Sequence, residues 1–568
     1  MTCSADRSLV GKRFDVVDDL GDFGVCQIVV RHDHRVADTL LFVGILDRLD
    51  EIRAVDDPGL ATFERHRLPN DAGPRGAGTT VEVGSVARSA ARTLRELETA
   101  LGGWRQVFGE GLRRGTSDEH CSECSEKQFS HRFQSNHSTE IFGQIGVTSW
   151  TTFPAVGWRA EDGGPRRQQW LEGARLDLQP GVSLAVVSRS MMVLTMVVSP
   201  TPDEVFALCH TGGDAAESWI ERVDPITLES IVVSERLAGG PAWPGGMAVH
   251  DNGDLYVVFG NHAHRLNREL RVVGSRELPR RRPYNSFVML PDGHLVTKDF
   301  AGSRPGNEAS EPFAPSELVV LEPNELRIVA SLELPEASIA RLSADANDVY
   351  VVGTSALWRA KWDGSHLRLD DFSGRYRHFE GQGFGWDAVI ADGSAWFLDN
   401  GESTHRFAGT LRGVGTSTAP LHLVRVQLES GRVTLTDICG LPSGVVANPP
   451  VVDVTRKTVI GFDSGNGVLA GFSYDDKSVR PTWSHQQNHA SHMLLYPESG
   501  EVVTADHDAA RGVEQIVVRD IVSGAEKARV DTGSPIQSVV FPACGHRRDL
   551  YWCSMLALSR ISVDDVRK

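Results

Sequence analysis

The sequence predicts an all-β protein, a β-propeller of about eight four-stranded blades. Eight short strands of similar composition recur, and they begin at residues 204, 254, 294, 348, 395, 458, 501 and 549. These intervals are typical of a four-stranded blade with loops of variable length. No stretch in this region shows the 3.6-residue apolar period that a helical solenoid of similar repeat length needs. Seven blades is the alternative, if the strand at 204 belongs to an irregular first segment.

The turns and the end of the chain support this fold. Segments such as "HDNGD", "LPDGH", "ADGSA" and "PESGE" place Asp, Asn or Gly before the recurring strands, where a hairpin needs positive φ. The chain ends soon after the third strand of its last repeat, so the ring needs a strand from upstream to avoid an open edge. We predict "VSLAVVSR", residues 182–189, as that closing strand.

Residues 1–180 are expected to form a weakly structured segment with one helix, before a propeller at 181–568. The helix is predicted at 88–108, where three leucines lie roughly on one face. Segments such as "EDGGPRRQQ", residues 161–169, read as loop or disorder.

One cluster in this N-terminal segment resembles a metal site. Cys121, Cys124, His131 and His137 offer the four ligands that zinc prefers. The spacing between the cysteine pair and the first histidine is much shorter than in a zinc finger. We therefore expect these residues to lie in loops.

Composition limits the partners and the compartment. A net charge of −17 and a pI near 5.6 argue against nucleic acid or an anionic membrane as the main partner. Eight scattered cysteines fit a reducing compartment, and Met1–Arg13 does not have the order of an export signal. We expect a cytoplasmic protein without a membrane span, or an exported one if translation begins upstream.

Candidate site residues are polar or aromatic side chains at the beginnings of the first strands, because these strands line the channel of a propeller. Several blades contribute such residues at one end of the channel, where loops build a ligand mouth. We assign Trp243, Tyr284, Arg341 and Trp386 to substrate binding, Asn285, Asp387 and Asn448 to a metal, and His489 and His492 to catalysis.

These assignments rest on the chemistry of the side chains. Amide and carboxylate oxygens suit a divalent cation such as calcium, zinc or manganese, and a channel histidine can transfer protons. In the alternative interpretation, Asp and Asn after strands make turn bonds and the histidines fill the channel with satisfied hydrogen bonds. No serine-hydrolase elbow, phosphate-binding loop or dinucleotide fingerprint is present, so no nucleotide is expected.

Two segments resemble the gluconolactonase and senescence-marker-protein group. "YNSFVMLPDGHLVTKD", residues 284–299, is similar to the metal-site strand of that group, with Asn285 in the ligand position. "VANPPVVD", residues 446–453, is a looser parallel that contains Asn448. This resemblance implies a metal-dependent hydrolase of a small ester or lactone.

Two further resemblances are to other propellers. "DIVSGAEKARVDTGSP", residues 520–535, looks like a fourth-strand turn of quinoprotein dehydrogenases and YVTN-type repeats, but their repeated tryptophan motif is not evident and we expect no quinone. "WDAVIADGSAWFLDNG", residues 386–401, is similar to a strand of arylsulfotransferases.

The hypotheses for function are therefore several. The first is a divalent-metal hydrolase that acts at the channel mouth. The alternative is a non-catalytic propeller that binds a small molecule or a protein partner through the long rim loops at 300–317 and 403–420. An oxidoreductase like the quinoproteins, or an enzyme like the arylsulfotransferases, is a further alternative.

Overall fold

The computed structural model describes residues 157–564 apart from 181, 192, 306 and 309–312, and the backbone of five strands before them. The chain divides into two compact units, Leu46–Thr148 and the combination of Met1–Ile45 with Ser149–Lys568. The early strands are β1 (Arg13–Val17), β2 (Val25–His32), β3 (Arg35–Val43), β4 (Ile52–Val55) and β5 (Thr62–Arg65). β1–β2–β3 form one sheet and β4–β5 another. The helix predicted at 88–108 and the cysteine–histidine cluster at 121–137 lie outside the described residues.

The larger unit contains a propeller of eight blades, as predicted, and each blade is an antiparallel sheet. β6 (Ser183–Ser190) comes first in the chain. Blade 1 contains β7 (Leu194–Thr201), β8 (Glu204–His210), β9 (Ala216–Val223), β10 (Ser230–Val233) and β11 (Leu237–Gly240). Blade 2 contains β12 (Gly246–Val249), β13 (Leu255–Phe259), β14 (His262–Leu266) and β15 (Val272–Glu277). Blade 3 contains β16 (Val288–Met289), β17 (Leu295–Lys298), β18 (Glu317–Leu321) and β19 (Ile328–Glu333).

The remaining blades follow the same order. Blade 4 contains β20 (Ser343–Asp345), β21 (Asp348–Val352), β22 (Ala356–Trp362) and β23 (Leu367–Arg375). Blade 5 contains β24 (Val389–Ala391), β25 (Ser394–Leu398), β26 (His422–Gln427) and β27 (Val433–Asp437). Blade 6 contains β28 (Val451–Asp453), β29 (Thr458–Asp463), β30 (Val468–Tyr474) and β31 (Val479–Gln486). Blade 7 contains β32 (Leu494–Tyr496), β33 (Glu501–Asp508), β34 (Val513–Asp520) and β35 (Glu526–Asp531), and blade 8 contains β36 (Ala543–Cys544), β37 (Asp549–Ser554) and β38 (Ala557–Asp564).

The closing strand is also confirmed. β6 pairs antiparallel with β38 along its whole length, from Ser183 opposite Asp564 to Ser190 opposite Ala557. Blade 8 thus takes its fourth strand from the beginning of the propeller. Because this pairing covers β38, the described ring has no open edge at its junction.

Burial follows the order of the strands within a blade. The second strands β13 and β25 are buried at every position, because neighbouring blades cover both of their faces. The fourth strands β15 and β35 alternate between exposed and half-buried residues. The hairpin turns have the predicted geometry: Asp392 and Gly393 have φ of 51° and 65°, the positive pair of a type I′ turn.

An irregular segment, residues 157–170, closes one end of the channel, and we call it the plug. It includes a 3-10 helix at Glu161–Gly163. Backbone N–H groups near the ends of four first strands donate to its carbonyls: Val249 to Arg159 (2.7 Å), Ala344 to Pro165 (2.7 Å), Ile390 to Arg166 (2.9 Å) and Leu495 to Gln169 (2.8 Å). Trp158 also pairs with Ser199 of β7. The segment at 161–169 is a loop, one of the two forms expected from the sequence, and it has defined contacts.

Two other features of the fold bear on function. A second 3-10 helix, Glu402–Arg406, follows β25 at the opposite end of the channel from the plug. Among the described residues, no helix is long and apolar enough to span a membrane.

Candidate functional site

The open end of the channel carries a cleft lined by aromatic side chains. Its aromatic residues come from the segments before β12 and β24 and from the loops after β17, and they are Trp243, Phe300, Phe313, Phe384 and Trp386. Its volume is about 290 Å³, including space open to solvent. In a propeller the beginnings of first strands and the loops after second strands meet at the same end, which explains why distant parts of the sequence share this cleft.

The aromatic rings are packed in a fixed arrangement. Trp243 and Phe300 stack with ring centroids 4.3 Å apart and planes 19° apart. Trp386 is 5% exposed and packs against Gly401, where an added Cβ would lie 2.5 Å from the Trp386 ring. Glycine at this position therefore lets the indole lie flat against the backbone that begins the second 3-10 helix.

Polar groups of the cleft come mainly from that helix. The carboxylate of Glu402 accepts the backbone N–H of Phe384 at 2.9 Å and the hydroxyl of Ser417 at 2.8 Å. His405 hydrogen-bonds to the Glu402 carbonyl through Nδ1 (2.9 Å), and its Nε2 lies 3.1 Å from Glu308 Oε1. The bonds from Phe384 and Ser417 hold the Glu402 carboxylate in one place at the wall of the cleft.

Below the cleft, Arg341 occupies the centre of the channel and is 4% exposed. Its guanidinium donates to the backbone carbonyls of Gly245 (3.1 Å), Pro244 (2.6 Å) and Asn285. Its own backbone N–H donates to Asp387 Oδ1 at 2.6 Å. Arg341 thereby joins blades 2, 3, 4 and 5.

The plug contributes a second buried arginine to the same region. Arg167 donates to Glu161 Oε2 at 2.6 Å, Asp162 Oδ2 at 2.7 Å, the Leu342 carbonyl at 2.8 Å and Ser286 Oγ at 3.1 Å. Asp162, Arg167 and Gln169 all have positive φ, of 52°, 54° and 61°. Such backbone is unfavourable for residues other than glycine, and the surrounding contacts hold it.

The protonation of this cluster follows from burial and neighbouring charges. Burial raises the pKa of Asp387, against the opposing effect of Arg167 and Arg341. Burial also raises the pKa of Asp162, but His492 and Arg167 outweigh it and the net pKa is lowered. Burial lowers the pKa of His489 to about 3, so this imidazole is neutral at pH 7.

The three residues assigned to a metal do not share a described contact. Asn285 and Asp387 both lie beside Arg341, whereas Asn448 donates from its side chain to the carbonyls of Ala490 and Val539. Among the described residues there is no group of three or more His, Cys, Asp or Glu that could hold a metal. The metal assignment stays a prediction.

The two histidines assigned to catalysis are fully buried in the channel. His492 Nδ1 lies 2.7 Å from Asp162 Oδ1, and its ring packs on Phe541 with centroids 3.9 Å apart. His489 accepts the backbone N–H of Ala505 at 3.0 Å through Nδ1. Their catalytic role also stays a prediction.

The residues assigned to substrate binding separate into two groups. Trp243 and Trp386 lie in the cleft. Tyr284 is buried, and its hydroxyl accepts the backbone N–H of Arg280 at 3.2 Å, while Arg341 is held by the carbonyls described above. The structure therefore brings the two tryptophans together, and it holds Tyr284 and Arg341 in contacts within the fold.

Several buried polar atoms of the channel have no hydrogen-bond partner among the described residues. They are Asn285 Oδ1, Asp387 Oδ2, His489 Nε2 and His492 Nε2. An unpaired polar atom in a protein interior is costly, so such atoms mark places where water or a ligand group is expected.

Polar residues at the ends of second strands bind neighbouring loops. Asp399 accepts the His422 backbone N–H at 2.7 Å, Asp463 that of Asn466 at 3.0 Å, and Asp506 that of Asn488 at 2.8 Å. This agrees with the interpretation that these carboxylates make turn and loop bonds.

Sequence reasoning missed two groups of residues. The first is the ionic part of the plug: Glu161, Asp162 and Arg167. The second is the remaining individual side chains of the cleft, above all Phe300, Phe313, Phe384 and Glu402, although Phe300 and Phe313 stand in the loop at 300–317 that was predicted as a contact element. For the second group the signal was present, because three aromatic residues and a carboxylate stand in segments that border first or second strands.

No model of a protein family matches the chain, and no curated protein sequence does. Among solved structures, the chain is similar to BamB from Moraxella catarrhalis, at 11% identity and a TM-score of 0.46 over 67% of this chain and 99% of BamB. It is also similar to quinohemoprotein alcohol dehydrogenase from Comamonas testosteroni, at 9% identity and a TM-score of 0.49 over 72% of this chain and 81% of the dehydrogenase. These similarities carry no argument about chemistry, and they do not support the resemblance to the gluconolactonase group.

Proposed function

We propose that the protein is a ligand-binding propeller that holds a small molecule, or a single side chain of a partner, in the aromatic cleft. The observation that carries this proposal is the convergence of Trp243, Phe300 and Trp386 at the open end of the channel. A concave, mostly apolar site with a few fixed polar groups is typical of ligand pockets.

The long loops identified in the sequence contribute to this cleft. Phe300, Ser303 and Phe313 come from the loop at 300–317, and Thr404 and His405 come from the second 3-10 helix and the loop it begins. Both loops follow second strands, so both reach the open end. This supports the hypothesis that they are the contact elements of a binding protein.

The metal-hydrolase hypothesis has weaker support. The side-chain oxygen of Asn285, which is buried without a hydrogen-bond partner among the described residues, favours it. Two buried guanidiniums beside Asp387, those of Arg167 and Arg341, count against it because they would repel a divalent cation. Metal analysis of the purified full chain tests this hypothesis. About one calcium, zinc or manganese per chain, lost in the double variant Asn285→Ala/Asp387→Ala, would support it.

A screen of small-molecule fragments by saturation-transfer NMR tests the binding proposal. We expect fragments that bind the full chain and lose their signal in Trp243→Ala and Trp386→Ala. Trp483→Ala is the matched control, because Trp483 lies on the outer strand β31. The proposal fails if no fragment binds, or if binding is equal in all four proteins. A cytoplasmic location stays a prediction from the sequence.

A further inference from the structure

The cleft combines aromatic side chains with one fixed carboxylate, and we propose that it takes an organic cation, specifically a methylated ammonium group. This inference rests on the proposed function, since it names the class of ligand for the same cleft. The group is either part of a free small molecule or the end of a methylated lysine side chain, and both present the same chemistry.

The aromatic residues provide the first part of the argument. Trp243, Phe300, Phe313, Phe384 and Trp386 line one cleft. The face of an aromatic ring is electrostatically negative, and it attracts a cation within about 6 Å, with tryptophan the strongest. Two of these five residues are tryptophans from different blades.

The charge of the cleft also favours a cationic ligand. Glu402 supplies a carboxylate that two hydrogen bonds hold at the wall. Among the described residues that line the cleft, none is a lysine or an arginine. The one basic side chain in the lining, His405, has its Nε2 beside the carboxylate of Glu308. The net charge of the whole chain is −17, which also attracts cations.

Two arginines near the cleft make contacts with other groups, while Arg406, next to His405 in the second 3-10 helix, is exposed. Arg304 donates to Asp214 Oδ1 at 3.1 Å and to the Ala242 carbonyl at 3.3 Å. Arg377 donates to the Gln382 carbonyl at 2.7 Å and lies over the Phe384 ring at 5.3 Å. The second contact shows that a cation already rests on one ring of this group.

The acceptors of the cleft favour a methylated ammonium over a primary one, because Glu402 is the one carboxylate among the described lining residues. A primary ammonium is strongly hydrated and needs three acceptors to replace its water. A trimethylammonium group has no N–H and keeps its positive charge, so aromatic faces and one carboxylate suffice.

Isothermal titration of the full chain with choline and with 3,3-dimethylbutan-1-ol tests the inference. The two molecules have the same shape, but only choline is charged. We expect choline to bind at least about tenfold more tightly, since cation–π contacts are worth about 1.4 kcal/mol or more in a desolvated site. A short peptide with trimethyl-lysine, titrated in parallel, separates a protein partner from a free small molecule.

Variants test whether Glu402 is responsible for the preference for choline. Glu402→Gln should weaken choline several-fold and leave the binding of 3,3-dimethylbutan-1-ol unchanged. Glu429→Gln is the matched control, because Glu429 is exposed in the turn between β26 and β27 of the same blade and does not line the cleft. Thermal unfolding of each variant shows that it is folded.

Each outcome decides between the two proposals. Equal affinity for the two compounds would overturn the cation inference and leave the ligand-binding proposal supported. No binding of either, while other fragments bind in the NMR screen, would also overturn only the inference. If no fragment binds at all, both proposals fail.

Discussion

Arg341 shows how one side chain can organise the centre of the channel. Its guanidinium satisfies the carbonyls of Pro244, Gly245 and Asn285, and it lies 3.2 Å from Glu161 Oε2. It also rests on the ring of Phe541 at 4.2 Å, which comes from blade 8. Because these partners come from several blades and from the plug, we expect Arg341 to couple them.

Replacement of Arg341 should therefore destabilise the folded protein strongly. Arg341→Met leaves buried carboxylates and backbone carbonyls without their partner, and we expect a loss of about 3 to 5 kcal/mol in the free energy of unfolding. Arg368→Met is the control, since Arg368 is 69% exposed, and it should change stability by less than about 0.5 kcal/mol. Urea unfolding measures both, and equal effects would contradict the role given to Arg341.

The buried carboxyl of Glu514 predicts how the free energy of unfolding changes with pH. It is fully buried, and it accepts the backbone N–H of Ser538 at 2.7 Å and the indole N–H of Trp552 at 3.3 Å. Burial raises the pKa of this carboxyl to about 8, from an ordinary value of 4.5. Between these values the folded protein keeps a proton that the unfolded chain has lost, so rising pH favours unfolding by up to about 1.4 kcal/mol per pH unit.

The variant Glu514→Gln should lose this dependence. Relative to the unaltered protein, its free energy of unfolding should increase as pH rises from about 4.5 to about 8 and stay constant outside that window. Exposed Glu498→Gln is the control. If the difference in the free energy of unfolding between Glu514→Gln and the unaltered protein does not change with pH, Glu514 is ionised in the folded protein.

At the scale of the element, the plug and the closing strand connect the ring in different ways. β6 completes one blade by a regular strand pairing. The plug instead crosses the channel and hydrogen-bonds to seven blades through Trp158, Glu161, Arg167, Gln169 and its backbone carbonyls. It also contacts β36 of the eighth. We therefore expect the plug to contribute to the cooperativity of the ring.

A comparison of two fragments tests this role. A fragment of residues 157–568 should unfold at a higher urea concentration than one of residues 181–568, because the shorter one exposes the ends of the first strands and also loses the buried side chains of Leu171, Leu176 and Leu178 from the core. The longer fragment with Arg167→Met should fall between them. Equal midpoints would show that the plug adds no stability, and would support residue 181 as the start of the propeller domain.

The elements that could be predicted are those that follow the repeat along the sequence. The spacing of second strands, the turn at Asp392 and Gly393, and the closing strand all follow from repetition and from the need to cover an edge. The plug could not be found in this way, because residues such as Arg167 and Gln169 bind partners more than a hundred positions along the chain. Of the cleft, Trp243 and Trp386 were predicted individually, since both stand shortly before first strands, and the loops at 300–317 and 403–420 were predicted as contact elements without their individual residues.

At the scale of the whole molecule, the channel has two different ends. The plug closes one end with buried ion pairs, and aromatic loops surround the other. This arrangement supports the proposal that a ligand binds at the open end.

Hydrogen exchange measured by mass spectrometry tests this division most directly, with the fragment of highest affinity from the NMR screen as the probe. We expect slower exchange on binding in peptides that cover 298–305, 383–387 and 400–406, and no change in those that cover the plug. Slower exchange confined to the plug, or no change in the peptides of the cleft, would contradict the assignment of the binding site to the open end.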